Sequence, residues 1–334
     1  GEYDDYIEIY NFGTAAADIG GYIITDEIGN YGDYYQIPTG NDSTIIQPGS
    51  FLLLWADEES EQGVLHVEIE LSGAGEQIGL FLQDSTSAVD TLTFSEQTED
   101  ISYGRYPDGS ANWLYFSTPS PGTANQPALS TINVPSDYST IQAALNTAID
   151  GDTVLVAAGT YVENIIWPAK NGIKLIGIDE STTVIDGGQN ASVIRFEDNE
   201  NFVIDTTTII QYLTLTNGYA QGNWPAYYGG GIYCGTNASP KLSNVSIINN
   251  HAYWSGGGIY CESSDPVFVN LNISNNTTST NMPSGSGGGA VIRNSNAVFR
   301  NCLFNDNLAA MAGGIQCDWN TNPIISGCAI TNNT

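Results

Sequence analysis

Basic residues are almost missing from this chain: seven Lys and Arg stand against 37 Asp and Glu, a formal net charge of −30. So acidic a surface repels phosphate backbones and anionic headgroups, which argues against nucleic acid as a partner. Long apolar runs are missing as well; none reaches the roughly 18 residues of a spanning helix, so no membrane insertion is expected. There is no initiator Met and no signal peptide ahead of Gly1, as expected of a processed, exported product. Cysteines number only five, and their spacing fits no zinc motif. What is abundant is Asn, Thr, Ser, Gly and Tyr, a composition associated with secreted or cell-surface proteins. The acids cluster at Asp57-Glu58-Glu59 with Glu61, at Glu96, Glu99 and Asp100, and at Glu197-Asp198 with Glu200. Oxygen ligands of this kind make Ca²⁺ possible, but none has the spacing of a calcium loop, so a solvated surface is the plainer reading and no cofactor is implied.

The first 126 residues read as strands without a helix-period segment. Tyr6–Tyr10, Gly21–Ile24, Phe51–Trp55, His66–Leu71, Ile78–Leu82 and Val89–Leu92 alternate or run apolar, and Pro48-Gly49 and Pro107-Asp108-Gly109 mark turns between them. This is the pattern of an Ig-like β-sandwich. Glu8-Ile9-Tyr10-Asn11, Ile19-Gly20-Gly21-Tyr22 with Asp26, Ile46-Gln47-Pro48-Gly49, Gly104–Gly109 with Trp113, and Pro121–Asn125 resemble the lamin-tail domain of bacterial exported proteins. That resemblance implies an accessory or interaction module and no catalytic residues. Arg105 is expected to pair with a nearby carboxylate such as Asp108, and His66 to pack rather than to ligate.

Residues 127–136 read as a proline-punctuated linker, and 137–334 as a right-handed parallel β-helix. Ser139-Thr140-Ile141-Gln142 has capping-box spacing, and Ile141, Ala144, Leu145 and Ala148 form one apolar helix face, expected to cap the first coil. Beyond it the chain repeats. Gly230–Cys234 recurs at Gly257–Cys261, Gly288–Ile292 and Gly313–Cys317, and the longest interval holds a polar stretch, Thr277–Ser286 with Pro283, that reads as a loop. A second element recurs at Leu242–Ile247, Phe268–Ile273, Phe299–Phe304 and Ile325–Ile330. Within it Asn244, Asn270, Asn301 and Gly327 share one column, and these residue types predict a left-handed bend. Asn249-Asn250, Asn275-Asn276, Asp306-Asn307 and Asn332-Asn333 line up beyond it, as stacked amides would. The cysteines Cys234, Cys261, Cys302, Cys317 and Cys328 fall on inward columns and are expected to be buried thiols.

Thr140–Gln142, Gly151–Val154 and Gly159–Asn164 resemble the N-terminal coil of the pectate-lyase-like β-helix superfamily. The resemblance implies a fold more than an activity, because that superfamily holds lyases, hydrolases, esterases, adhesins and tailspikes. Segments that pectin methylesterases, polygalacturonases and the best-known pectate lyases would supply are absent here. Catalysis would need an outward column, and the repeat supplies one: Gly235, Glu262, Arg293 and Asp318, beside Tyr233, Tyr260, Val291 and Gln316. An arginine between two carboxylates next to Tyr260 could neutralise a uronate and move a proton in a lyase; a solvent-facing ion ladder is the plainer reading. Asp186, Arg195, Lys241, Arg300 and His251 are polar candidates without partner sets. Trp224, Tyr227, Tyr228, Tyr233, Tyr253, Trp254 and Tyr260 gather on adjacent coils and could present aromatic faces to sugar rings. The expectation is therefore a non-catalytic structural or adhesive protein that binds polysaccharide or other surface proteins, with a polysaccharide lyase or hydrolase as the alternative. Because the chain stops where another Gly-Gly-Ile strand is due, the β-helix is expected to be incomplete or to self-assemble through its open end.

Overall fold

The computed structural model describes residues 5–30, 34–198, 202–279 and 285–334. Glu200 and Pro283 lie outside the described residues. The chain divides into two compact units, residues 1–128 and 129–334.

In the first unit Asp5–Tyr10 pairs antiparallel with Phe51–Ala56, placing Ile7 opposite Leu54, and His66–Val67 joins the free edge. A second sheet runs Tyr35–Gln36, Ile23–Thr25, Gln77–Phe81, Ala88–Thr93. Alternation decides which side chains meet: Ile24, Ile37, Ile46, Leu54, Val67 and Leu80 form the core of this Ig-like β-sandwich. Arg105 reaches not Asp108 but Asp90, with both oxygens at 2.9 Å, and its guanidinium lies 4.5 Å from the Trp113 ring centroid. The hairpin of Ser102–Arg105 with Trp113–Phe116 supplies that geometry, since Trp113 is the cross-strand partner of Arg105. His66 is half-buried, stacked near Trp55, with Nδ1 2.6 Å from Asp57.

The second unit is a parallel β-helix, and its right-handed sense follows from the crossover rule for parallel strands. Its largest sheet has thirteen strands, running from Thr131–Val134 through Thr153–Val156, Lys174–Gly177, Ile209–Thr216 and Lys241–Ile248 to Ile324–Ser326. The first of these strands lies inside the segment read as linker. Ile132 and Val134 alternate inward, Val134 is buried, and Thr131–Val134 pairs in register with Thr153–Val156, so the β-helix starts before residue 137. The helix Ile141–Thr147 buries Ile141, Ala144 and Leu145 on this first coil. Its N-cap is Thr140 rather than Ser139, and Glu163 completes the cap by accepting from the amides of Ile141 and Gln142 at 2.9 Å each.

Left-handed residues divide the large sheet into two faces. Asn244, Asn270, Asn301 and Gly327 have φ of 53°, 55°, 54° and 63°, and Tyr212, one coil earlier, has 56°. The inward columns stack like on like, with the rings of Phe268 and Phe299 4.7 Å apart and both fully buried. Each such ring contributes about 1.5–3 kcal/mol of burial. All five cysteines are free thiols. Cys234, Cys261 and Cys302 are buried, but Cys317 is exposed and Cys328 half-exposed, both in the last described coil, whose strands pair with a coil on one side. Ile324, Ile325 and Ile330 of the same coil are exposed as well. No helix among the described residues is long and apolar enough to cross a membrane.

Candidate functional site

The second large surface of the β-helix is a six-stranded sheet, in the order Ile165–Ile166, Ile194–Phe196, Ile232–Cys234, Ile259–Glu262, Ala290–Arg293, Ile315–Asp318. Its register places Arg195, Tyr233, Tyr260, Val291 and Gln316 in one outward column. Glu262, Arg293 and Asp318 share the next. This much matches the spacing of the repeat, but the contacts differ from those expected.

The tyrosines of that column are outward and nevertheless buried: Tyr233 is 1% exposed and Tyr260 2%. The segment before the repeat's glycines folds over them. Tyr228, itself buried, lies on Tyr260 with ring centroids 4.2 Å apart and planes at 14°, and Tyr227 packs against Trp254. Tyr233 continues the stack on Tyr260 at 5.9 Å. Burial pushes the hydroxyls of Tyr233 and Tyr260 far above the ordinary phenol range, and that of Tyr228 up to about 12. Of the aromatic candidates, only Trp224 and Tyr253 are exposed outright.

Arg293 is not held between two carboxylates. Its Nε is 3.5 Å from Glu262 and its Nη1 3.5 Å from the Tyr260 hydroxyl, which donates to Glu262 at 3.0 Å. Asp318 instead accepts from Gln316 Nε2, 2.8 Å to each oxygen. The other side of the guanidinium is occupied by Trp319, with Cζ 3.9 Å from the ring centroid. Trp319 is 68% exposed, so Arg293 backs one face of an indole whose remaining surface is open to solvent. Its φ of 44° turns it out of the strand direction, at a corner where Ser263 and Asn294 are also left-handed, at 50° and 46°. No motif or repeat column singles out Trp319 in the sequence; its one signal is a large aromatic directly after the Cys-Asp pair that closes the Gly-Gly strand.

Residues 1–96 match the family model of the Lamin Tail Domain. A second model, the Chlamydia polymorphic membrane protein repeat, matches residues 244–262, from the Asn244 bend to Glu262. No curated protein matches the chain. Among solved structures, a pectin methylesterase in complex with hexasaccharide VII is 15% identical, with 55% of this chain and 67% of that one covered and a TM-score of 0.35. Pectin methylesterase PemA from Erwinia chrysanthemi is 14% identical over the same shares, with a TM-score of 0.32.

The remaining polar candidates lie apart from this surface or are structural. Arg195, 7% exposed, bonds Glu197 at 2.7 Å and the Tyr228 carbonyl at 3.2 Å, and lies 4.1 Å from the Tyr233 ring centroid. It therefore clamps the covering segment to the sheet. Arg195→Met is expected to destabilise the unit by roughly 2–4 kcal/mol. Arg195→Lys should recover little, because an ammonium cannot reproduce the planar fork. Urea midpoints and the near-ultraviolet tyrosine signal measure both. His251 is half-buried between Thr277 Oγ1 at 2.8 Å and Ser279 Oγ at 3.3 Å, and burial lowers its pKa. Lys241 and Arg300 belong to the thirteen-stranded sheet, and Asp186 accepts from Asn217 at 2.9 Å. No group of three or more metal-ligating side chains converges among the described residues.

Proposed function

We propose that this chain is a non-catalytic module of the cell surface or extracellular medium that binds glycans on the outer face of its six-stranded sheet. The observation that carries this reading is Trp319, an exposed indole steadied from behind by Arg293. Aromatic faces of this kind stack on the C–H-rich faces of pyranose rings, and a steadied ring loses little conformational freedom on binding. Lyase chemistry has less to work with. Burial raises the pKa of the Tyr260 hydroxyl and so keeps it protonated, leaving no phenolate to act as a base, and it is already donating to Glu262. Arg293 is committed to Glu262 and Trp319. The lamin-tail match at residues 1–96 and the match to a repeat of Chlamydia polymorphic membrane proteins accord with an adhesive or accessory role at a surface.

Glycan-array binding compared between wild type, Trp319→Asn and Trp224→Ala tests the reading. Asn is chosen at 319 because it tolerates positive φ. Binding is expected for wild type, with a loss of roughly tenfold in Trp319→Asn from the missing stack. Loss in Trp224→Ala alone would move the site to the other aromatic edge and overturn the assignment. Release of unsaturated uronate, followed by its absorbance and abolished in Arg293→Ala, would replace binding with catalysis.

A further inference from the structure

The ligand class follows from charge. Resting on the glycan-binding reading above, we infer that the Trp319 surface selects neutral pyranose glycans and rejects polyuronates and sulfated glycans. Residues 129–334 contain six Lys and Arg against fifteen Asp and Glu. A polyanion needs cations facing it, and the six-stranded sheet carries only two, Arg195 and Arg293. Both are spent. Arg195 is buried on Glu197, Ser192 and the Tyr228 carbonyl, and Arg293 is consumed by Glu262, Tyr260 and the face of Trp319. Lys170 bonds the carbonyls of Asn146 and Ala148 at 2.6 Å each, and Lys174, Lys241 and Arg300 lie on strands of the other sheet.

Apart from Arg293 itself, the outward column beside Trp319 carries carboxylates. Asp318 precedes Trp319, and Glu262 stands one coil beyond Arg293 in the same column, its Oε1 accepting from Asn294 at 3.0 Å. Carboxylate oxygens at the margin of an aromatic face suit the O–H donors of a neutral sugar. Against a carboxylate or sulfate they are like charges, and because they are partly exposed their repulsion weakens as salt rises.

The purified chain, residues 1–334, would be titrated by affinity electrophoresis with a neutral β-glucan, polygalacturonate and alginate, each at low and physiological salt and with and without Ca²⁺. Trp319→Asn would be run beside wild type. The neutral polymer should bind about tenfold or more tightly than either polyuronate, with the preference shrinking as salt rises and falling with Trp319→Asn. A polyuronate bound more tightly than the neutral polymer and released by Trp319→Asn, with Ca²⁺ or without it, would overturn the charge argument and leave glycan binding standing. Retention of no polymer by folded protein, or binding untouched by Trp319→Asn, would overturn both.

Discussion

Gly257→Ala is expected to unfold the middle of the β-helix, although it adds a single methyl. A Cβ at this position would lie 2.5 Å from the Thr277 carbonyl oxygen, 2.6 Å from that of Gly288 and 2.7 Å from the Thr277 amide nitrogen. All three are backbone atoms, two on the facing coil wall and one on the next Gly-Gly strand, and none can swing aside as a side chain can. The same closeness recurs along the column: Gly230 faces the His251 and Gly257 oxygens at 2.4 Å, and Gly288 the Leu308 backbone at 2.8 Å. Separation of the walls at one coil would propagate to its neighbours, because each coil is stabilised only by those on either side. A cost of about 3 kcal/mol or more is expected, roughly 6–12 °C in Tm for a unit of this size. Gly73→Ala is the control, since nothing lies within 4 Å of its Cβ. Thermal unfolding followed by circular dichroism should separate the two; equal Tm values would show that the walls can part without loss.

The glycine repeat was visible in the sequence as a period, but its cause was not. Period and residue type identify what happens within a coil, and so the bends at Asn244, Asn270 and Asn301 could be read from chemistry that favours positive φ. What happens between walls depends on which segments face each other, and only the closed coil brings Gly257 against Thr277. Tyr212 shows the complementary limit: it takes the same left-handed conformation as Asn244 with no residue-type signal, because its place in the stack imposes it. The outward column of the site was legible for the same reason the bends were, from register alone. Its accessibility was not, since Tyr228 covers Tyr260 through a loop whose path no alternation encodes. Trp319 occupies a corner where its column mates are Ser263 and Asn294, so column averaging hid the residue that most distinguishes the surface.

Asn276 should prove the most sensitive polar position in the chain, and the kind of replacement should matter more than its size. It is fully buried, and its amide makes four bonds: Nδ2 donates to the Ile247 carbonyl at 2.8 Å and to Asn307 Oδ1 at 3.1 Å, while Oδ1 accepts from the Asn250 amide and from Asn250 Nδ2, both at 3.0 Å. Alanine removes all four and leaves the Ile247 carbonyl and the Asn250 amide without these partners in a dry interior, a loss of roughly 3–5 kcal/mol. Aspartate keeps the shape and the two acceptor bonds but, when ionised, places an anion beside two acceptor oxygens. Burial would raise its pKa above the ordinary value of about 3.9. The folded state of Asn276→Asp would then bind a proton more tightly than the unfolded state. Relative to wild type, its stability should be best preserved below about pH 4 and should decline as pH rises through the raised folded-state pKa. Asn276→Ala should show no such added slope. Urea unfolding of the three proteins between acid and neutral pH decides the matter: parallel profiles for Asp and Ala would mean that water reaches the amide stack, and a diverging Asp profile that the stack is dry and that its coil-to-coil bonds, not its size, hold this wall of the β-helix together.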